Sequence, residues 1–287
     1  MIPMKHILQP RLAATFTLLL AFLFAAAQTS DSIDTSIRHH SLTFGVGTAN
    51  VLDTYLSPYA YKGNALQLQR ETSRATHLLQ QSSADQPRVT LQTLCNIDFA
   101  SVENPAGNVT EYVGGMRYSL GWLYRYYQTD YKRFHFSFTA GPMLSTYLGA
   151  IYHERNGNNP FQAKFDMTVD LTAQANCQFH IKHRRANLRY QLFTPLVGFA
   201  FSPNYGQSYY EAFELGNSDH NIVFAHVGNM PSMRHLLTFD IQLRRHSATT
   251  LRIGYSGNFM QSKFNNLRYH SYTHTFLFGV TKTFKRL

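Results

Sequence analysis

Cysteine is scarce, apolar runs are few and metal or nucleic-acid motifs are missing, and each shortage removes a class of protein. Only Cys95 and Cys177 occur in the 287 residues, so no Cys-rich zinc cluster exists. The 14 histidines never adopt a His-x3-His or similar ligand spacing, and neither a metal nor a cofactor is expected. The formal net charge of +10 could suit nucleic acid. Here, though, Lys and Arg are dispersed over strand positions and turns. No helix-turn-helix, zinc-finger or oligonucleotide-binding pattern accompanies them, so no nucleic-acid partner is expected. After Phe24 nothing approaches the ~20 apolar residues of a spanning helix. No linker divides the chain, which reads as one domain.

The single apolar run lies at the start. Lys5 and Arg11 precede an apolar stretch over 12–24, and Ala25-Ala26-Ala27 then supplies a small-residue cleavage pattern. Residues 1–27 are expected to be a signal peptide, with Gln28 as the mature N-terminus. No Cys stands at that junction, so a lipoprotein is not expected. Residues 28–40 are polar and read as a flexible periplasmic lead-in. Lys5 and Arg11 are the only basic Lys/Arg before residue 28. The remaining ones therefore outnumber the 16 Asp and Glu by eight.

What the rest of the chain has in abundance is alternation. Met116, Tyr118, Leu120, Trp122, Tyr124 and Tyr126 interleave with Gly115, Arg117, Ser119, Gly121, Leu123 and Arg125. Phe134, Phe136, Phe138, Ala140, Pro142, Leu144 and Leu148 do the same with Arg133, His135, Ser137, Thr139, Gly141, Met143 and Ser145. A third run sets Phe165, Met167, Val169, Leu171, Ala173, Ala175, Cys177, Phe179 and Ile181 against Asp166, Thr168, Asp170, Thr172, Gln174, Asn176 and Gln178. Period two is the signature of a strand, whose successive side chains leave on opposite faces. The runs reach the ~9–11 tilted residues that cross a bilayer. A soluble, lipocalin-like barrel would alternate too, but its outer face is normally rich in Lys and Glu. Here the polar face holds Gly, Ser, Thr, Gln and Asn with scattered Arg and Asp, as a polar lumen does, and aromatic residues gather towards the ends of the apolar face. The expected fold is an all-β, antiparallel transmembrane barrel over 41–287.

About ten strands are expected. Beyond those three they run over about 41–52, 62–74 and 88–100, then through Leu188–Leu196, His235–Leu243, Leu251–Phe259 and Phe276–Phe284. Residues 221–227 could add part of a hairpin and make twelve. Leu42, Phe44, Val46, Val89, Leu91, Ile97 and Phe99 are expected outward, and Thr238, Asp240, Gln242 and Arg244 inward. The second strand is irregular, because Arg70 and Arg74 share a face with Leu66 and Leu68. Cys95 and Cys177 fall outward, three strands apart, too far for a disulfide. Counting from a periplasmic N-terminus, the connections centred on Tyr59, Asn104, Gly157, Tyr210 and Asn265 should be the longer, external ones. Those at Asp130, Arg184 and Ser247 are tight, and only the one around Ser82 exceeds a periplasmic turn.

Two groups of residues are candidates for function. On the polar face, Arg125, Arg133, Arg189, Arg244 and Arg252, with His180 and Lys182, fall near the periplasmic ends; Arg117 shares that face. Asp98, Asp166, Asp170 and Asp240 fall at mid-height or above. A narrow barrel is filled by side chains and buried charges must be paired, so an Arg/Asp network plugging the lumen is expected. The alternative is a cation-lined mouth selecting anions. The second group is the segment 202–232, far longer than a usual connection of ~4–6 residues. It reads as a folded extracellular lid, with Tyr205, Tyr209, Tyr210 and Phe213 as its surface and a short helix ending near Gly216. Catalysis has little to stand on. The His-Ser neighbours at His40-Ser41, His246-Ser247 and His270-Ser271 point to opposite faces of a strand, and Asp219-His220 with Asp53 are the only rim acid/base candidates.

The stretch Asn204-Tyr205-Gly206-Gln207-Ser208-Tyr209-Tyr210-Glu211-Ala212-Phe213, followed by Leu215-Gly216-Asn217, resembles an uncharacterised family of Gram-negative outer-membrane β-barrels, a domain of unknown function. Tyr55-Leu56-Ser57-Pro58, Tyr61-Lys62-Gly63 and Leu251-Arg252-Ile253-Gly254-Tyr255-Ser256-Gly257 fit that resemblance, which covers nearly the whole mature chain. It implies fold and outer-membrane location without an activity. The chain departs in ending Phe284-Lys285-Arg286-Leu287 rather than on an aromatic residue. Outer-membrane lipids and the barrel-insertion machinery are the expected partners, with no small-molecule ligand specified. The expected role is a non-catalytic envelope protein with a plugged lumen; a narrow anion channel and a barrel hydrolase (protease or phospholipase) are the alternatives.

Overall fold

The computed structural model describes residues 37–76, 78, 87–157, 159–244 and 247–285. Residues 1–27, expected to be a signal peptide, and most of the expected 28–40 lead-in lie outside these residues, and β1 begins at Ile37, inside the stretch expected to be a lead-in. The strands are β1 (Ile37–Asp53), β2 (Tyr61–Thr76), β3 (Val89–Glu103), β4 (Thr110–Tyr131), β5 (Phe134–His153), β6 (Phe161–Ile181), β7 (Arg184–Phe201), β8 (Ile222–His226), β9 (Met233–Gln242), β10 (Thr249–Phe264) and β11 (Leu267–Lys285). A short helix, α1 (Tyr209–Phe213), lies between β7 and β8.

Consecutive strands pair antiparallel except β8 with β9, and β1 pairs with β11 along its whole length, which closes the sheet into a barrel. β7 is flanked on one side by β6 and on the other by β8 above and β9 below. Those two short strands share one place in the wall, so the barrel has ten. The segment 221–227 thus supplies β8 rather than a further hairpin.

Alternation maps onto the wall as the physics of a pleated strand requires. Leu42, Phe44, Val46, Leu66, Leu68, Ile97, Phe99, Met116, Tyr118, Trp122, Leu144, Leu171 and Phe278 are exposed on the outside. Their chain neighbours Thr43, Gln67, Arg117, Ser119, Ser145, Asp170 and Thr172 are buried inside. Three places break the rhythm. Val89, expected outward, is buried. The β4–β5 register shifts between Arg125 and Tyr127, and the β6–β7 register shifts where Asp170 pairs with Pro195 and Val169 with Val197. Proline cannot donate to a ladder and is tolerated at bulges. Leu196 sits at that irregularity, and beyond it the phase reverses, with Phe199 exposed and Ala200 buried.

One end of the barrel carries tight turns at Lys132-Arg133 and Lys182-His183, where each lysine takes a left-handed φ of 55°. The other end carries the connections 54–60, 104–109, 154–160 and 202–221. The β10–β11 connection, expected to be long, is instead a two-residue turn. Asn265 and Asn266 there have φ of 49° and 62°, the pairing of left-handed residues that suits a tight hairpin. The two ends are called the turn end and the loop end below. Cys95 and Cys177 are free.

Candidate functional site

The lumen is filled at two charged levels with an apolar level between them. Nearer the turn end, Glu71 of β2 gathers donors from four strands, the weakest being Ser41 of β1 at 3.4 Å. Arg189 contacts it through both terminal nitrogens, one at 2.7 Å, while Arg252 Nη1 donates at 2.6 Å and Gln92 Nε2 at 2.7 Å. Arg252 also grips Asp240 in a bidentate fork, at 2.7 and 3.0 Å. Asp240 lies directly across the ladder from Arg252, so it sits low in the barrel rather than at mid-height. Gln92 and Gln191 exchange hydrogen bonds of 3.1 and 2.7 Å across the lumen. All four charged groups are buried, and two guanidiniums meet two carboxylates.

Nearer the loop end a second balanced set forms. Arg117 holds Asp166 through two bonds of 2.8 and 2.9 Å, with its guanidinium carbon 4.7 Å from the Tyr147 ring centroid. The Tyr147 ring can lie flat because Gly115 and Gly149 bear no Cβ; one built there would stand 2.3 and 2.5 Å from the Tyr147 hydroxyl. Arg234 of β9 donates to Asp170 at 2.5 Å, and Asp170 also accepts from Ser145 at 2.6 Å and Thr168 at 2.7 Å. Between the two sets, Leu94, Met143, Phe193, Leu236 and Leu277 make a buried apolar cluster across the interior. Buried ion pairs of this kind need every lone pair satisfied to offset desolvation, and the Ser, Thr and Gln partners do that here.

Of the Arg and Asp residues expected in the lumen, Arg117, Asp166, Asp170, Arg189, Asp240 and Arg252 are brought into these two sets. Arg125 is partly buried and donates to the Pro87 carbonyl at 3.1 Å. Arg133 and Arg244 are exposed at the turn end, and Arg133 stacks over Phe134. Asp98 accepts from Gln67 at 2.9 Å. Glu71 and Arg234 complete the sets, though sequence reading did not single them out. A signal for Glu71 existed, since Gln67, Gln69 and Glu71 alternate against Leu66, Leu68 and Arg70.

Below the lower set the lumen opens into a polar vestibule of about 410 Å³ at the turn end, lined by His39, Ser73, Gln174, Asn176 and Asn187 among others. Above it lie three small cavities of about 40, 20 and 30 Å³. Among the described residues no group of three or more His, Cys, Asp or Glu could hold a metal ion.

The loop end is closed by an apolar cap that includes Val51, Leu56, Tyr61, Val102 and Ile151. Lys164 pairs with Asp53 at 2.6 Å beneath it. Tyr61 places its hydroxyl 3.0 Å from His153 Nε2 and 3.3 Å from Ser57 Oγ, so tyrosine stands between the serine and the histidine. Glu111, across the ladder from His153, is fully buried, and neither carboxylate oxygen has a hydrogen-bond partner. Its level lies beyond the apolar belt, because the outward residues beside it on β2 and β3 are Lys62, Asn64, Ser101 and Glu103. Burial pushes the Glu111 carboxyl up to about 8, and the neighbouring Asp53 adds to the rise.

The segment 202–232 is anchored at this rim. Tyr209 donates to Gln162 Oε1 at 2.9 Å and accepts from the Ala163 amide at 2.7 Å; Tyr55 donates to the Gln207 carbonyl at 3.0 Å. Burial raises both phenols above the ordinary tyrosine value. Ser208 and Glu211 form a capping box that starts α1. The helix is shorter than expected, ending at Phe213, with Gly216 left-handed at φ 70°. Tyr209 is the half-buried anchor of the four aromatic candidates, whereas Tyr205, Tyr210 and Phe213 are exposed. Phe213 stacks on Phe201 at the outer wall. Leu56 and Ser57 of the β1–β2 connection are among the residues buried at the mouth itself.

Similar architectures occur among solved structures. The outer membrane protease OmpT from Escherichia coli aligns over 90% of this chain and 100% of its own, with 6% identity and a TM-score of 0.47. The transport unit of the autotransporter AIDA-I from Escherichia coli aligns over 95% of this chain and 97% of its own, with 8% identity and a TM-score of 0.46. The beta domain of the Bordetella autotransporter BrkA aligns over 86% and 99%, with 11% identity and a TM-score of 0.40. No curated protein matches the chain. The family model described as "Protein of unknown function (DUF3316)" matches residues 14–287, and the chain belongs to that family.

Proposed function

We propose that this chain is an outer-membrane β-barrel whose own side chains keep its lumen shut, a non-catalytic envelope protein with its loop end outside and its turn end in the periplasm. The observation that carries the shut lumen is the stack of two neutral charge sets on either side of the apolar cluster Leu94, Met143, Phe193, Leu236 and Leu277. The membrane setting rests on the outer belt of Leu, Phe, Met, Tyr and Trp. A contiguous apolar surface of that size marks contact with lipid or another protein, and a closed barrel satisfies its backbone without water.

An anion channel is less well supported, because the lumenal guanidiniums of Arg117, Arg189, Arg234 and Arg252 each face a carboxylate at close range. A hydrolase needs a nucleophile in reach of its base. At the loop end Ser57 and His153 each meet the Tyr61 hydroxyl, and Asp219 and His220 are exposed. Cell fractionation with liposome swelling tests the proposal. The mature protein, starting at Gln28, should sediment with the outer membrane, and liposomes carrying it should swell in small sugars no faster than empty ones. Recovery in the soluble periplasm, or rapid swelling, would overturn it.

A further inference from the structure

Every lumenal guanidinium of the two sets has a carboxylate, yet the outer wall at the turn end shows the opposite arrangement. There β2, β1 and β11 run side by side and present three outward rows. Arg74, Arg38 and Phe284 form the lowest row, Thr72, His40 and Lys282 the next, and Arg70, Leu42 and Val280 the highest. Arg38 and Arg74 are cross-strand partners in register. Like charges placed directly opposite each other destabilise a strand pair unless something neutralises them. Among the described residues, no acidic side chain lies within ion-pair distance of Arg38, Arg70, Arg74 or Lys282. Glu71, the acid next to Arg70 and Arg74 in sequence, points into the lumen and is consumed by Arg189 and Arg252. Lys282 leans along its own strand towards the lowest row, its ammonium 5.1 Å from the Phe284 ring centroid.

Position completes the picture. Directly above the grid the wall turns apolar, through Phe44, Leu68 and Phe278 in neighbouring register. Cations therefore stand where the belt ends, at the depth where lipid headgroups sit. Strand spacing and the two-residue repeat make the grid about 10 Å by about 13 Å, the footprint of a phosphodiester headgroup with its glycerol. Guanidinium forks match phosphate oxygens bidentately, and an ammonium adds a point charge.

We propose that Arg38, Arg74, Arg70 and Lys282 form a binding site for the phosphate headgroup of an anionic glycerophospholipid in the periplasmic leaflet, with its acyl chains lying along Leu42, Phe44 and Phe278. The proposal rests on the reading that this wall spans a membrane. Native mass spectrometry of the mature chain, refolded into phosphatidylcholine nanodiscs doped with phosphatidylglycerol, tests it. Phosphatidylglycerol should stay bound after the disc is stripped. The Arg38→Gln/Arg74→Gln variant should retain it about tenfold less or worse, given the strength of charge-assisted bonds. An Arg184→Gln/Arg185→Gln variant, with the same loss of charge in an exposed turn, should retain it normally. Equal loss in both variants, or no enrichment over phosphatidylcholine, overturns the site while leaving the membrane reading intact. Should the first variant not refold, Arg74→Gln alone carries the same comparison. Failure of the unaltered chain to enter any disc overturns both readings.

Discussion

Glu71→Gln is the sharpest perturbation of the lumenal plug. The substitution keeps the shape of the side chain, so packing is unchanged and the effect is one of charge. Glu71 is buried, with Arg189 and Arg252 both bonded to it. Without its charge, Arg252 keeps Asp240 while the buried Arg189 guanidinium is left with no carboxylate. Removing one partner of a buried ion pair leaves an uncompensated charge and costs about 3–5 kcal/mol. Guanidinium unfolding of the refolded barrel, followed by the fluorescence of Trp122, would read this as a shift in midpoint. Adding Arg189→Gln should restore more than half of the loss, because charge balance returns. Arg244→Gln, at an exposed turn position, should stay within about 0.5 kcal/mol of the parent. A loss below about 1 kcal/mol for Glu71→Gln, or a double variant worse than the single, would refute the neutral-plug reasoning.

Other perturbations probe the wall, the cap and the rim. Leu171 is 43% exposed on the outer belt, so Leu171→Arg should cost about 2–4 kcal/mol in a bilayer and Leu171→Phe almost nothing; equal stability of the two in vesicle unfolding would argue against lipid contact. Glu111 carries a carboxyl raised from 4.5 to about 8, so a closed cap is favoured by the bound proton. Its contribution is full below 4.5, falls as pH rises from there to about 8, and the penalty is constant above that. Once the intrinsic rise of amide exchange with pH is divided out, protection of the β1–β2 connection should fall between pH 5 and 8 in the parent and stay level in Glu111→Gln; parallel protection profiles would remove Glu111 as the cause. Tyr209→Ala removes two hydrogen bonds, to Gln162 and from Ala163, each worth about 1 kcal/mol. External protease should then cut 202–221 faster, and an unchanged rate would show that the segment is held elsewhere.

Much of the barrel was legible in sequence because strand geometry is local. Period-two alternation in β4, β5 and β6 places Trp122, Leu144 and Leu171 outside and Ser119, Ser145 and Thr172 inside without any knowledge of partners. What failed was what depends on distant chain. Glu71 and Arg189 are 118 residues apart, and Glu71 and Arg252 are 181 apart, so no window of sequence contains the lower set. Arg70 and Arg74 made β2 look irregular, yet they sit outward below the belt, where cations are compatible with headgroups. Arg234 was obscured by a loop expected to run to 232, whereas β8 had already returned the chain to the wall. The reversal after Pro195 was foreseeable in kind, since a mid-strand proline calls for a bulge. Its position relative to Asp170 was not. Asn265-Asn266 carried a turn signal strong enough to shorten the last loop, and alternation on both sides of it continues to the turn.

The shut lumen is tested most directly by planar-bilayer recording of the refolded, mature chain. The plug as built, with Glu71 and Asp240 neutralising Arg189 and Arg252 beneath the Leu94–Met143–Phe193–Leu236–Leu277 cluster, predicts a silent membrane at moderate voltage. Steps should appear once Glu71→Gln and Phe193→Ala are combined. Large, steady, anion-selective currents from the unaltered protein would contradict the account.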